Sequence, residues 1–419
     1  MMFREEQVLL YADQMNGLQK IPNEVLGTAK VMKPYMGKGF LLRAMGNKNP
    51  EVAERLGDYM SKNGGKYIRP AYVIATGMAL GDFAPETLDN RIEAGKNKDF
   101  QKFIPAAASI QYDHNRFLIH DDPEDYSLLR RGEPAYHVVH GLDFGINDGD
   151  YLDVLSENVI VNANEIFGRV WSDETRYRMI RARTDMQEKT VFGQNYEFTK
   201  RDQHISETSV KDVIKILEMK TGYTTETPVR YGSIISGKSD GFIDRIKMPM
   251  IYATIAFQIK DDLLNILSEK SSSTGKANLK DQKMGKDWAG DLNEGKRTLP
   301  LVIAYERADP KDKKFIEDHI SSRGPYMKLK DMKKRYDFNN PEHATELTRL
   351  LFVGNEKRNL PNSVKERIIQ IEHECGAIQD SKKMMFDYLN RANEGIKVVL
   401  GRGAATIIQM NNFAVYRNF

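Results

Sequence analysis

Asp121, Asp122 and Asp125 place three carboxylates within five positions of the stretch HNRFLIHDDPEDYSLLRRG, residues 114–132. Carboxylates this close repel one another unless a cation holds them. Hard divalent ions such as Mg²⁺ take oxygen ligands from one or two carboxylates and complete their shell with phosphate oxygens. Arg130 and Arg131 follow one to two helical turns later, and guanidinium groups grip phosphates with paired donors. The stretch reads as a site for a magnesium–diphosphate complex.

A second pair, Asp261-Asp262, closes the apolar run PMIYATIAFQI and is followed by Asn265. On a helix, positions i and i+4 share a face, so Asp261 and Asn265 point the same way. One such pair alone reads as a capped helix end with solvated acids. Two, each ending an apolar helix, read as halves of a metal site facing each other across a bundle. Three further stretches supply cations. Gly64-Gly65-Lys66-Tyr67-Ile68-Arg69-Pro70 combines glycines for close backbone approach with Lys66 and Arg69 one turn apart, which suits phosphate or an ordinary helix–helix turn. Lys220-Thr221-Gly222 places an ammonium and a hydroxyl at a predicted helix break, or is a plain helix cap. The glycine-bounded segment from Gly290 to Thr298, preceded by Lys286, reads as a lid over an anion or as a surface loop.

Helices must position these groups, because alternating strand patterns are scarce. The spacing predicts helices over 3–15, 51–62, 70–80, 105–122, 143–170, 172–200, 208–221, 249–268, 298–321 and one or two within 363–400. Pro228 and Pro249 mark helix starts or kinks. The run 249–268 is apolar nearly all round, which predicts burial. Polar segments near 81–101 and 322–362 read as inserts, Ser271 to Gly275 as a loop. The expectation is one all-α domain over 1–400, with an unplaced tail at 401–419. Composition narrows the function. Lysine plus arginine number 62 against 59 acidic residues, a net charge of +3, so no nucleic-acid coat is expected. At 40% hydrophobic residues the chain can bury a core. Cys375 is the only cysteine, which excludes an internal disulfide and a cysteine zinc site and predicts a cytoplasmic setting. No secretory signal and no membrane-spanning run are read.

Taken together, these motifs resemble the trans-isoprenyl diphosphate synthases, which include farnesyl and geranylgeranyl diphosphate synthases. GGKYIRP at 64–70, DDPED with RRGEP at 121–134, GQNYE at 193–197, KT at 220–221, FQIKDDLLN at 257–265 and GDLNEGKRTLP at 290–300 agree with that family in order and spacing. The resemblance implies an all-α bundle around a deep central cavity, usually a homodimer. It implies that an allylic diphosphate binds through three Mg²⁺ held between the two aspartate stretches and ionises. Isopentenyl diphosphate then attacks the allylic cation, and a proton is lost. Carried over by position, Asp121, Asp125 and Asp261 are metal ligands, supported by Asp122 and Asp262. Arg130, Lys220, Thr221, Gln258 and Lys286 hold the allylic diphosphate; Lys66, Arg69, His114 and Arg131 hold isopentenyl diphosphate.

The chain departs from the family pattern at several points. Pro123 removes a helical hydrogen bond, so the helix is expected to end or bend there. Asn265 stands where the second motif usually ends in Asp. The segment from Asn265 to Lys286 is long, and Thr274-Gly275-Lys276 rivals Lys286. Product length rests, by resemblance, on side chains one turn before Asp121, here Arg116 and Phe117. Phe117 favours a short product, while Arg116 and Asp113 are spaced to pair with each other at a helix surface. A C20 product is expected, with C15 as the alternative. The competing classes are a terpene cyclase, which needs no second diphosphate site, and a non-catalytic subunit, which need not keep its metal ligands.

Overall fold

The computed structural model describes residues 23–63, 65–84, 97–125, 127–267, 288–320, 337, 340–343 and 360–416. The predicted first helix at 3–15, most of both predicted inserts, the loop 271–275, Lys276 and Lys286 lie outside the described residues. Within them the protein is all-α apart from one two-stranded hairpin. The longer helices around the site are α1 (Pro50–Asn63), α2 (Ile68–Ala79), α3 (Ile104–Glu124), α4 (Leu142–Val161), α5 (Asp173–Asp202) and α6 (Val210–Ile216). They continue with α7 (Tyr223–Ile235), α8 (Asp240–Leu267), α9 (Leu299–Arg307), α10 (Asn362–Glu374), α11 (Ala377–Leu400) and α12 (Ala404–Tyr416).

Helix α8 lies along α11, α3 along α4, and α2 against α7. In α8, Ile251, Ile255, Ile259, Leu263 and Ile266 recur every three or four residues and are all buried. Burying each stabilises the fold by about 1.5–3 kcal/mol. The first turns of α3 are small, with Ala106, Ala107, Ala108 and Ser109 buried. That lets α4 approach until the Ser109 and Ser156 hydroxyls are 2.8 Å apart.

Several boundaries differ from the sequence reading, each for a local reason. The helix predicted over 143–170 breaks at Asn162 into α4 and a short helix, Ala163–Phe167. The segment 298–321 divides before Pro310, where the Asp309 side chain accepts from the Asp312 N–H and starts a new helix. Gly376, at φ 76°, separates α10 from α11. Pro228 and Pro249 start no helix: both lie inside α7 and α8, where burial offsets one missing hydrogen bond. The weakly charged tail forms α12. Its Ile407 and Met410 pack with Ala71, Tyr72 and Met250, and the Tyr72 hydroxyl donates to Asn411 Oδ1 at 2.8 Å.

Lys220-Thr221-Gly222 is not a helix break. Leu217–Gly222 forms a π-helical turn that joins α6 to α7, a local widening common at functional sites. It seats against α5 at Gly193, where a Cβ would lie 2.2 Å from the Lys220 backbone nitrogen. Gly193→Ala should therefore force the two apart, at a cost of about 1–3 kcal/mol. The expected result is a lower midpoint in thermal unfolding followed by circular dichroism; an unchanged midpoint would contradict the contact.

Candidate active site

Helix α3 runs through Pro123 and ends at Glu124, one residue past the proline. The Asp125 N–H still donates to the Asp121 carbonyl at 2.8 Å. Asp121 and Asp125 therefore keep helical spacing on one face; the proline costs the hydrogen bond to the Ile119 carbonyl, and the helix ends one residue later.

Cations from distant elements neutralise these carboxylates. Lys220 Nζ lies 3.2 Å from Asp121 Oδ1 and 2.5 Å from Glu197 Oε2. Gln194 donates to Asp121 at 3.4 Å and to Glu124 at 2.7 Å. Asp125, buried, takes Arg201 Nη1 at 2.9 Å on one oxygen and Lys296 Nζ at 2.8 Å on the other. Burial pushes the Asp125 carboxyl up, but Lys296, Lys220 and Arg201 together hold it far below the usual carboxylate range. Asp121 is likewise lowered: burial pushes it up, but Lys220, Lys296 and Arg130 together more than offset that.

Asp122 differs from its neighbours. It is fully buried, and its Oδ1 accepts both Nε, at 2.7 Å, and Nη2 of Arg130. Its Oδ2 has no hydrogen-bond partner among the described residues. Burial pushes its pKa up to about 6 despite Arg130. Arg130 stands in β1 (Leu129–Arg130), paired antiparallel with β2 (Glu133–Pro134). The turn between them is Arg131-Gly132, both at positive φ, 58° and 83°. That is the signature of a type I′ hairpin turn, which sequences usually meet with Asn-Gly or Asp-Gly. An arginine in its first position hid this hairpin from the sequence reading.

The hairpin brings Arg131 against Gly65. Its guanidinium lies 2.5 Å from where a Cβ on Gly65 would be, so the glycine leaves it room. Arg69 donates to Thr224 Oγ1 at 3.0 and 3.3 Å. Burial and then Arg131 bring Arg69 down to about 10. Burial, Arg69, Arg131 and Arg130 together pull His114 well below its usual range. Arg69 and Arg131 thus form a mutually repelling cationic pair, with His114 held uncharged beside them. Lys66 is exposed nearby, its ammonium 5.6 Å from the centre of the Phe413 ring of α12.

The second stretch ends α8. Asp261 and Gln258 are half-buried, one turn apart. Asp262 Oδ2 accepts from the Leu299 N–H at 3.4 Å, and burial with Asp291 pushes its carboxyl well above the usual range. Asn265 uses its side chain differently from a metal ligand: Oδ1 accepts from the Asp291 N–H at 3.2 Å and so shapes the 289–295 segment. Lys296, seated on Asp125, also lies 3.8 Å from Asp291 and 2.7 Å from Glu294, and its charge opposes the rise at Asp262. The sequence expectation that Arg116 and Asp113 pair at a helix surface is wrong. Asp113 is fully buried and bound by Arg183, at 2.7 and 3.2 Å, and by Gln187 at 2.7 Å. Arg116 instead donates to Gln187 Oε1 at 3.0 Å and lies 4.9 Å from the Phe117 ring centre. Arg183 comes from α5, so no local spacing could reveal it.

Gln194, Glu197, Arg201, Thr224, Lys296 and Glu372 escaped assignment from sequence. Gln194, Glu197 and Lys296 lie within motifs that carried the resemblance. Glu372 lacked any motif. It is fully buried on α10, and neither carboxylate oxygen has a hydrogen-bond partner among the described residues.

This geometry can be set beside known proteins. The family described as Polyprenyl synthetase matches residues 50–337. The chain belongs to the polyprenyl synthetase family. A geranylfarnesyl diphosphate synthase of Aeropyrum pernix is 29% identical over 278 residues, 66% of this chain and 76% of that protein. A geranylgeranyl pyrophosphate synthase of Geoglobus acetivorans is 29% identical over 319 residues, 75% of this chain and 85% of that protein. The fold matches the geranylgeranyl pyrophosphate synthase of Corynebacterium glutamicum, solved with isoprenyl diphosphate and magnesium. Its TM-score is 0.62 at 20% identity, covering 93% of this chain and 97% of that one. Among the described residues no helix is long and apolar enough to cross a membrane.

Carboxylate oxygens are the donors a hard divalent cation takes, although among the described residues no three acidic, histidine or cysteine side chains converge as a metal cluster. Asp121 and Asp125 present carboxylate oxygens now satisfied by ammonium and guanidinium groups, and Asp122 keeps a buried oxygen without a partner. The carboxylate behind the second stretch gives a test of its own. Burial and then Asp262 push Glu372 from an ordinary value of 4.5 up to about 8. The folded chain thus keeps a proton that the unfolded chain releases, so stability falls as pH rises through this window. Glu372→Gln should raise the unfolding midpoint by about 5 °C or more at pH 9, and by less at pH 5. A gain independent of pH would contradict the assignment.

Proposed function

We propose that this polyprenyl synthetase condenses isopentenyl diphosphate with an allylic diphosphate, with geranylgeranyl diphosphate as product and farnesyl diphosphate as the alternative. One observation carries the reading: there are two cationic clusters. Lys220, Lys296 and Arg201 gather on the aspartates. Arg69 and Arg131 gather beyond them, with the uncharged His114 beside them as a further polar contact. Two diphosphates need two such clusters. A terpene cyclase needs one, and a non-catalytic subunit has no reason to keep either.

In this reading Asp121, Asp125 and Asp261, supported by Asp122 and Asp262, hold Mg²⁺. Magnesium bound there neutralises charge that builds on the departing diphosphate. Lys220 and Thr221 on the π turn, Gln258 and Arg130 hold that diphosphate; Lys286 remains part of the proposal. Lys66, Arg69, His114 and Arg131 hold isopentenyl diphosphate and direct its double bond at the allylic carbon. Phe117 and the apolar face of α8 exclude water, which would otherwise quench the cation. The homodimer is supported by exposed Leu142, Ile146 and Val154, which recur along α4 beside exposed Val138 and Val139.

The deciding assay combines purified protein, Mg²⁺, labelled isopentenyl diphosphate and allylic primers of increasing length, with product size read by chromatography. Elongation that needs both substrates supports synthesis; a hydrocarbon formed from the allylic substrate alone would identify a cyclase. Asp121→Ala should abolish turnover, and activity within a few-fold of wild type would refute its metal role. Phe117→Ala should lengthen the product, and an unchanged length would move the floor of the cavity elsewhere.

A further inference from the structure

Arg201 stands in the last turn of α5, with its side chain only 11% exposed. No sequence motif drew attention to it. Its Nη1 donates to Asp125 Oδ1 at 2.9 Å, while Lys296 occupies the other oxygen at 2.8 Å. One carboxylate therefore carries two full positive charges, more than it can neutralise. The remaining balance comes from Glu197 and Glu294, whose charges also favour the guanidinium. Arg201 is held from behind as well: its carbonyl accepts from Arg297 Nη2 at 3.3 Å, which ties the end of α5 to the 295–298 segment.

This arrangement is weakened once Asp125 ligates a divalent ion. Each Asp125 oxygen keeps a further lone pair for the ion, whose positive charge then repels Arg201 and Lys296. A guanidinium has five N–H donors, and one directed bond to Asp125 leaves most of them available. A short rotation away from Asp125 would bring it against anionic ligands of that same ion. We propose that Arg201 is a diphosphate-binding residue, parked on Asp125 until the metal–diphosphate complex takes the carboxylate. The proposal rests on the reading that the aspartates bind a metal–diphosphate complex, and it adds a cation that the family resemblance did not assign.

Titration calorimetry with inorganic diphosphate in Mg²⁺ tests it without turnover. Arg201→Gln should weaken diphosphate binding by about tenfold or more, the scale of lost charge-assisted hydrogen bonds. Mn²⁺ binding without diphosphate, followed by electron paramagnetic resonance, should be unchanged or tighter, because a competing cation has gone. Diphosphate affinity within about twofold of wild type overturns the proposal, given that bonds of this type are worth more. Weaker Mn²⁺ binding that accounts for the whole diphosphate loss overturns it too, since Arg201 would then only shape the carboxylate. Arg201→Lys keeps charge but loses the fork; a loss of about threefold or more is expected, and none overturns the proposal even if the glutamine variant fails to fold. A wild-type protein that binds no magnesium diphosphate would instead refute the reading of the whole site.

Discussion

Buried carboxylates without cations would be the most costly feature of this fold, and their neutralisation organises the rest. Asp121 and Asp125 close α3 in a low-dielectric setting and persist as anions because Lys220, Arg201 and Lys296 reach them from the π turn, α5 and the 295–298 segment. Breaking such a pair by removing one partner leaves an uncompensated buried charge, which typically costs about 3–5 kcal/mol. In the proposed reading, the same cations that stabilise the protein would serve an anionic ligand once metal took over the carboxylates, so stability and ligand binding would share one set of charges.

Backbone choices serve that set. Gly193 permits the π turn to press on α5, which puts Lys220 between Asp121 and Glu197. The Arg131-Gly132 turn divides two consecutive arginines between two tasks. Arg130 stays beside the aspartates, bonded to Asp122, whereas Arg131 crosses to Gly65 and lies near Arg69 and His114. A non-glycine residue at φ 58° stores local strain, and such strain persists only where the surroundings hold it. Here the hairpin bonds hold it, and the result is a second pole of positive charge set apart from the first.

Much of this was legible in the sequence, for physical reasons. The apolar spacing of α8 and the aspartates at its end could be read directly, because burial imposes periodicity and charge at a buried end demands a partner. The all-α class followed from the same periodicity. What sequence could not give were contacts closed over long loops. Arg183 takes Asp113 from α5, so the local Arg116–Asp113 spacing misled. Arg201 and Lys296 look like ordinary solvated charges until the fold seats them on Asp125. Asn265 looks like a weakened metal ligand, but its side chain is occupied in shaping the 289–295 segment. The helix does end one residue past Pro123, as its missing N–H demands, yet the Asp125 N–H still bonds the Asp121 carbonyl, so the two carboxylates keep their spacing.

The central claim is that the two aspartate stretches close on one metal–diphosphate complex. Diffraction from crystals soaked with Mn²⁺ and inorganic diphosphate tests it most directly. The expected result is anomalous density at Asp121 and Asp125 and at Asp261, bridged by diphosphate, with the Lys220 and Lys296 ammonium groups moved from carboxylate to phosphate oxygens. Manganese on one stretch alone, or diphosphate bound elsewhere while both lysines stay on Asp121 and Asp125, would contradict it.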